Sequence, residues 1–74
     1  MSTSEDIRIT RHIAENIKKV RIQKHFLQTE IAKKAGLNSN FYSKVERGDA
    51  RPSAVTLTKI IRALGVKSSD ILPI

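Results

Sequence analysis

Apolar residues recur along this chain at intervals of three and four, and the strict alternation of a half-buried strand is absent. Ile9, Ile13, Ile17 and Val20 predict one apolar stripe on a first helix running from roughly Ile7 to Gln23. That helix is expected to end near His25, where a residue has to leave the right-handed region without the help of glycine. A short helix follows from Gln28 to Ala35, with Ile31, Ala32 and Ala35 facing inward, and Gly36 closes it in the left-handed conformation. Leu37 anchors the turn. Asn38 is placed to cap a third helix that runs to Glu46, with Tyr42 and Val45 sharing one face. Ser53 caps a fourth helix, whose apolar face is Leu57, Ile60, Ile61 and Leu64, and Gly65 stops it. Ser68 or Ser69 opens a last turn holding Ile71 and Leu72 before Pro73.

The pattern predicts an all-α fold: a compact bundle of five short helices, with no linker, repeat or low-complexity run. Residues 1–6 are expected to fray and residues 7–74 to form a single domain. A chain of 74 residues is near the lower size limit for folding without staples. It has no cysteine, so neither a disulfide nor a cysteine-held zinc is available. His12 and Glu15 share a helix face, but two candidate ligands fall short of a metal site. No metal, cofactor or small-molecule ligand is expected.

Charge narrows the partners. Lys and Arg number 14 against 7 acids, a net charge of +7, which points to a polyanion: nucleic acid or an anionic membrane surface. No run approaches the roughly 20 apolar residues that span a bilayer, and the polar, acidic start is unlike a signal peptide. The apolar stripe of the first helix is needed for the core, which argues against the membrane surface as well. An enzyme is excluded because no nucleophile–base pair is visible and so small a bundle has no room for a deep pocket.

The stretch QTEIAKKAGLNSNFYSKVERG, Gln28 to Gly48, sets two short helices either side of a glycine. This is the helix-turn-helix pattern: the first helix braces, and the second is held proud to enter the DNA major groove. With IKKVR at Ile17 to Arg21 and PSAVTLTKIIRALGV at Pro52 to Val66, the chain resembles the Cro/repressor-type (xenobiotic-response-element, lambda-repressor-like) helix-turn-helix regulators. The resemblance runs from about Ile13 to Leu72, and length and basicity look most like restriction-modification controller proteins and compact phage repressors. It implies a cytoplasmic, bacterial or phage-encoded transcriptional regulator that binds double-stranded DNA.

The resemblance also implies roles. Ser39, Asn40, Phe41 and Lys44 match base-reading positions at the start and outer face of the recognition helix. Gln28, Ser43, Arg47 and Arg51 match positions beside the phosphates. Arg21 and Glu46 match a partly buried ion pair joining the first helix to the third. Chemistry agrees: an Asn amide pairs with adenine N6 and N7, a Lys donates to guanine O6 or N7, and a Phe ring packs on a thymine methyl. Two positions depart from the family pattern. Leu27 replaces the usual Ser, Thr or Asn cap before Gln28, a loss worth about 0.5–2 kcal/mol. His25 stands where the family often has glycine, which implies a strained or altered turn.

One recognition helix covers too few base pairs for specificity in a genome. A homodimer reading a pseudo-palindrome is therefore expected, with its interface at Ile61, Val66, Leu72, Pro73 and Ile74, more apolar surface than so small a core can hide. The alternative is an antitoxin or adaptor whose main role is to bind a partner protein, with DNA binding secondary. An extended arm that wraps the partner would discriminate the two.

Overall fold

The computed structural model describes residues 3–74 and contains four α-helices and one 3-10 turn. Helix α1 spans Ser4–Gln23, α2 Gln28–Ala35, α3 Ser39–Glu46 and α4 Ala54–Leu64, and the 3-10 turn covers Ser68–Asp70. The all-α class is as expected; the count of five helices is corrected to four. After Gly65 and Val66, only a few residues remain before Ile71 enters the core. They close a tighter turn instead, with the Ile71 N–H donating to the Ser68 carbonyl at 3.0 Å. No serine side chain caps this turn: Asp70 accepts from the Lys67 N–H at 3.0 Å.

Helix α1 starts three residues before the expected Ile7. The Thr3 hydroxyl accepts from the Asp6 N–H at 3.0 Å and the Asp6 carboxylate accepts from the Thr3 N–H at 3.4 Å, a capping box with Asp in place of the usual Glu. Residues 4–6, expected to fray, have the geometry of the first turn of a helix; Met1 and Ser2, also expected to fray, lie outside the described residues.

Helices α2 and α3 keep the predicted bounds because their end signals are local. Gly36, at φ +68, closes α2 as its N–H donates to Lys33 O at 3.1 Å and the Leu37 N–H reaches back to Ala32 O at 2.8 Å. Helix α4 ends the same way on Gly65, at φ +69. His25, at φ +62, ends α1 with the same two bonds, from its own N–H to Ile22 O and from the Phe26 N–H to Arg21 O.

The core is one cluster: Ile17 from α1, Ile31, Ala32 and Ala35 from α2, Tyr42 and Val45 from α3, Ile60 and Leu64 from α4, and Ile71 from the tail. Ala32 is fully buried, as its small size at a helix crossing requires. Helix α2 packs against both α3 and α4, while α1 packs on α3. Asn16 ties the tail down by donating to the Ile71 carbonyl at 2.9 Å. The α1 stripe is only partly used. Ile17 is buried and Ile13 and Val20 are half-buried, but Ile9 remains 40% exposed because the 20-residue helix outruns the core.

Candidate nucleic-acid interface

The turn between α2 and α3 fixes the start of α3 to its neighbours. Leu37 packs on the core. The Asn38 side-chain oxygen then accepts from the Asn40 N–H at 2.8 Å and the Phe41 N–H at 3.2 Å. Two of the orphan donors of the helix start are satisfied in this way. Ser39, Asn40 and Lys44 consequently stand exposed on a short rod whose other face, Tyr42, Val45 and Glu46, is buried. Asn40 and Lys44 present an amide and an ammonium group on that exposed face.

Phe41 differs from the expectation of an outward reader: it is half-buried and packs against the core. Neighbours on a helix diverge by roughly 100°, not by 180°. With Tyr42 at the centre of the buried face, Phe41 lies on its flank, where a ring is long enough to reach inward.

Behind α3 runs a chain of hydrogen bonds. The Ser43 hydroxyl donates to Gln28 Oε1 at 2.8 Å, and Gln28 Nε2 donates to Glu46 Oε1 at 3.0 Å. Arg21 grips the same carboxylate in a fork, Nε to Oε2 at 2.6 Å and Nη2 to Oε1 at 3.0 Å, and its Nη1 donates to the Phe26 carbonyl at 2.7 Å. The expected Arg21–Glu46 pair is present, and it also holds the α1–α2 turn. Burial works against ionisation of Glu46, but the hydrogen bonds from Arg21 and Gln28, with the Tyr42 hydroxyl close by, hold its carboxyl below the usual carboxylate range. Burial pushes the Tyr42 phenol far above its ordinary value. Its hydroxyl feels the Glu46 carboxylate without closing a hydrogen bond to it.

This network engages both Gln28 and Ser43. Both were expected beside phosphates, yet Ser43 spends its proton on Gln28, and Gln28 is held at both polar atoms. The Gln28 amide keeps one N–H for an outside acceptor. Sequence spacing gave no signal for this bond, because the two residues meet only through the angle between α2 and α3. Arg47 and Arg51 are exposed on the loop after α3. Arg47 donates to Asp49 at 3.1 Å, a solvent-exposed pair of the kind worth ~0–1 kcal/mol. Arg51 has no carboxylate within ion-pair distance among the described residues.

The five residues expected at a dimer interface fall into two groups. Ile61 and Val66 are half-buried on the core and Leu72 is half-buried, whereas Pro73 is exposed and Ile74 is 95% exposed. Val55, 66% exposed on α4, was not picked out by its position in the apolar pattern. Among the described residues no group of three or more potential ligands could hold a metal, and no helix is long and apolar enough to cross a membrane.

Comparison with known proteins bears out the resemblance. Residues 17–71 match a helix-turn-helix family, and the chain belongs to it. The family is one of DNA-binding transcription regulators and not of enzymes. An uncharacterized HTH-type transcriptional regulator, y4dJ of Sinorhizobium fredii (strain NBRC 101917 / NGR234), is 28% identical over 60 residues, which are 81% of this chain and 78% of that one. The immunity repressor protein of Bacillus phage phi105 is 32% identical over 60 residues, 81% of this chain but 42% of the repressor, so the chain spans less than half of that protein. The restriction-modification controller protein C.Esp1396I, solved as a tetramer in complex with its natural 35 base-pair operator, superimposes with a TM-score of 0.79 at 26% identity, covering 82% of this chain and 81% of that one.

Proposed function

We propose that this regulator binds a pseudo-palindromic operator as a homodimer, with the N-terminal end of α3 inserted in the major groove of each half-site. The observation that carries the reading is the pair Ser39 and Asn40, exposed at a helix start whose direction is set by Asn38 and Gly36. Asn40 offers a donor and an acceptor to adenine, Lys44 donates to guanine, and Ser39 serves either. The half-buried Phe41 leaves its exposed edge for a thymine methyl. Arg51, Arg47 and the remaining N–H of Gln28 meet phosphates, and Ser43 holds Gln28 for that contact. These backbone contacts supply affinity without sequence information.

Two copies place their recognition helices about 34–36 Å apart, one turn of DNA. Pro73 and Ile74, with the half-buried Leu72, Ile61 and Val66, supply the apolar contact between copies. No cofactor or small-molecule ligand is needed for this role, and its setting is the cytoplasm. The partner-protein alternative called for an extended arm. Residues 4–6, where the sequence offered such an arm, form a capped helical turn.

Selection of bound sequences from a random DNA pool tests the reading, with sedimentation of the free and bound protein alongside. A symmetric consensus with half-sites one helical turn apart, bound by two chains, is expected. Asn40→Ala should then reduce discrimination between that consensus and random DNA more than it reduces non-specific affinity. Recovery of no consensus, or a strict monomer on DNA, would refute it.

A further inference from the structure

The family match begins at residue 17, yet α1 starts at Ser4, so its N-terminal half lies outside the matched stretch. This half is well built. The Thr3–Asp6 box closes its first turn, and Ala14 is buried. Its packing partner is the loop between α3 and α4, which carries Arg47 and Arg51. The two meet at Gly48, where the chain turns at φ +77 and a Cβ would stand 3.6 Å from Arg11 Cγ and 3.9 Å from Ala14 Cβ. Ile7 and Thr10 border the same small hollow as Gly48, Ala50 and Arg51.

Apart from α1, the loop is held by Ala50, half-buried against the core, and by the turn at Gly48. Its own backbone bonds, Gly48 N–H to Val45 O at 3.1 Å and Asp49 N–H to Lys44 O at 2.9 Å, stop before Arg51. The Arg47–Asp49 pair is exposed on both sides. A short loop with so few internal bonds is ordered chiefly by what it leans on.

We propose that Arg11 and Ala14 of α1 are positioning residues that hold the α3–α4 loop in its DNA-ready conformation, Arg11 through its methylene groups rather than its charge. The inference rests on the DNA-binding reading above and assigns the first half of α1 a part in it. A loop ordered in advance binds more tightly because it loses less conformational freedom on contact. Releasing it should weaken binding to operator and random DNA alike by about three- to tenfold, since loop and side-chain ordering costs ~0.5–1.5 kcal/mol.

The test compares Arg11→Ala with Arg11→Met in the full chain; the second keeps the packing and removes the charge. Arg11 is exposed, so both variants should fold, which thermal melting checks. Arg11→Ala is expected to lose three- to tenfold on both DNAs and to speed hydrogen exchange at the Gly48 and Asp49 amides, while Arg11→Met stays near the parent in both measurements. Equal losses in the two variants, with a shallower salt dependence, would mean a direct phosphate contact and overturn the proposal. Faster exchange without weaker binding, or no change in either, would overturn it as well. If the parent itself binds no DNA, the reading under Proposed function fails separately, and the exchange rates alone still report whether Arg11 holds the loop.

Discussion

The turns at the two ends of α2 close the same pair of hydrogen bonds with different residues. On the α3 side, Gly36 takes the left-handed position and Asn38 caps the next helix with its own side chain. On the α1 side, His25 takes the left-handed position, and Leu27 stands at the cap with no oxygen to offer. Support there comes from outside the turn. Glu30 accepts from the Leu27 N–H at 2.8 Å, Arg21 donates to the Phe26 carbonyl at 2.7 Å, and the Lys34 ammonium lies over the Phe26 ring at 4.6 Å. The turn that aims the recognition helix is self-sufficient, and the turn that positions α2 depends on an ion pair shared with α3. That difference makes Arg21 the residue on which the most structure rests.

Breaking the dependent turn at Arg21 should have the largest effect. Arg21→Ala strands the buried Glu46 and frees the Phe26 carbonyl, at a cost of about 3–5 kcal/mol, read by urea unfolding. A double change, Arg21→Met with Glu46→Leu, removes both charges and should lose less. Acid separates the two chains as well. Glu46 has a folded-state pKa below its unfolded value, so its stabilising contribution is present above the ordinary carboxylate range and disappears as pH falls through the folded value. The parent should therefore lose melting temperature between neutral pH and pH ~3 more steeply than the double variant; equal slopes would show that Glu46 does not govern acid stability.

The self-sufficient turn should break at glycine first. Open space surrounds Gly36, with nothing within 4 Å of the point where a Cβ would stand, so Gly36→Ala costs only the left-handed backbone, about 1–2 kcal/mol. Asn38→Ala removes the cap and should cost ~1 kcal/mol. It also loosens the first turn of α3, so operator discrimination should fall together with thermal stability. Asn38→Ser, which restores an acceptor, should recover both.

How far these features are legible in the sequence follows the range of the interactions behind them. Bounds of α2 and α3 could be read because Gly36 and Asn38 act within three residues of themselves. The start of α1 was obscured because Asp6 does the work of a capping Glu, and Ile7 looked like the first periodic position. Phe41 and Ser43 escaped for another reason: each is decided by what lies across α3, the core flank for one and Gln28 for the other. The unused part of the α1 stripe at Ile9 escaped because periodicity reports a face and not the length of the core beneath it. The exposure of Ser39, Asn40 and Lys44 needed only the helix start and its buried face, both of which are local.

The smallest expected effect is a gain, at His25. An L-residue with φ near +60° carries about 1–2 kcal/mol of steric strain that glycine avoids. Glycine in turn loses more chain entropy on folding, roughly 0.5–1 kcal/mol. His25→Gly should therefore stabilise the protein by up to about 1 kcal/mol, seen as a higher urea midpoint with an unchanged slope. The gain should persist in the Arg21→Met and Glu46→Leu background if backbone strain at His25 is independent of the ion pair. If it grows there instead, Arg21 is holding the turn against that strain through the Phe26 carbonyl, and the two ends of α2 differ in mechanical load as well as in composition. A loss on His25→Gly would show that the imidazole stabilises the turn by more than its backbone costs.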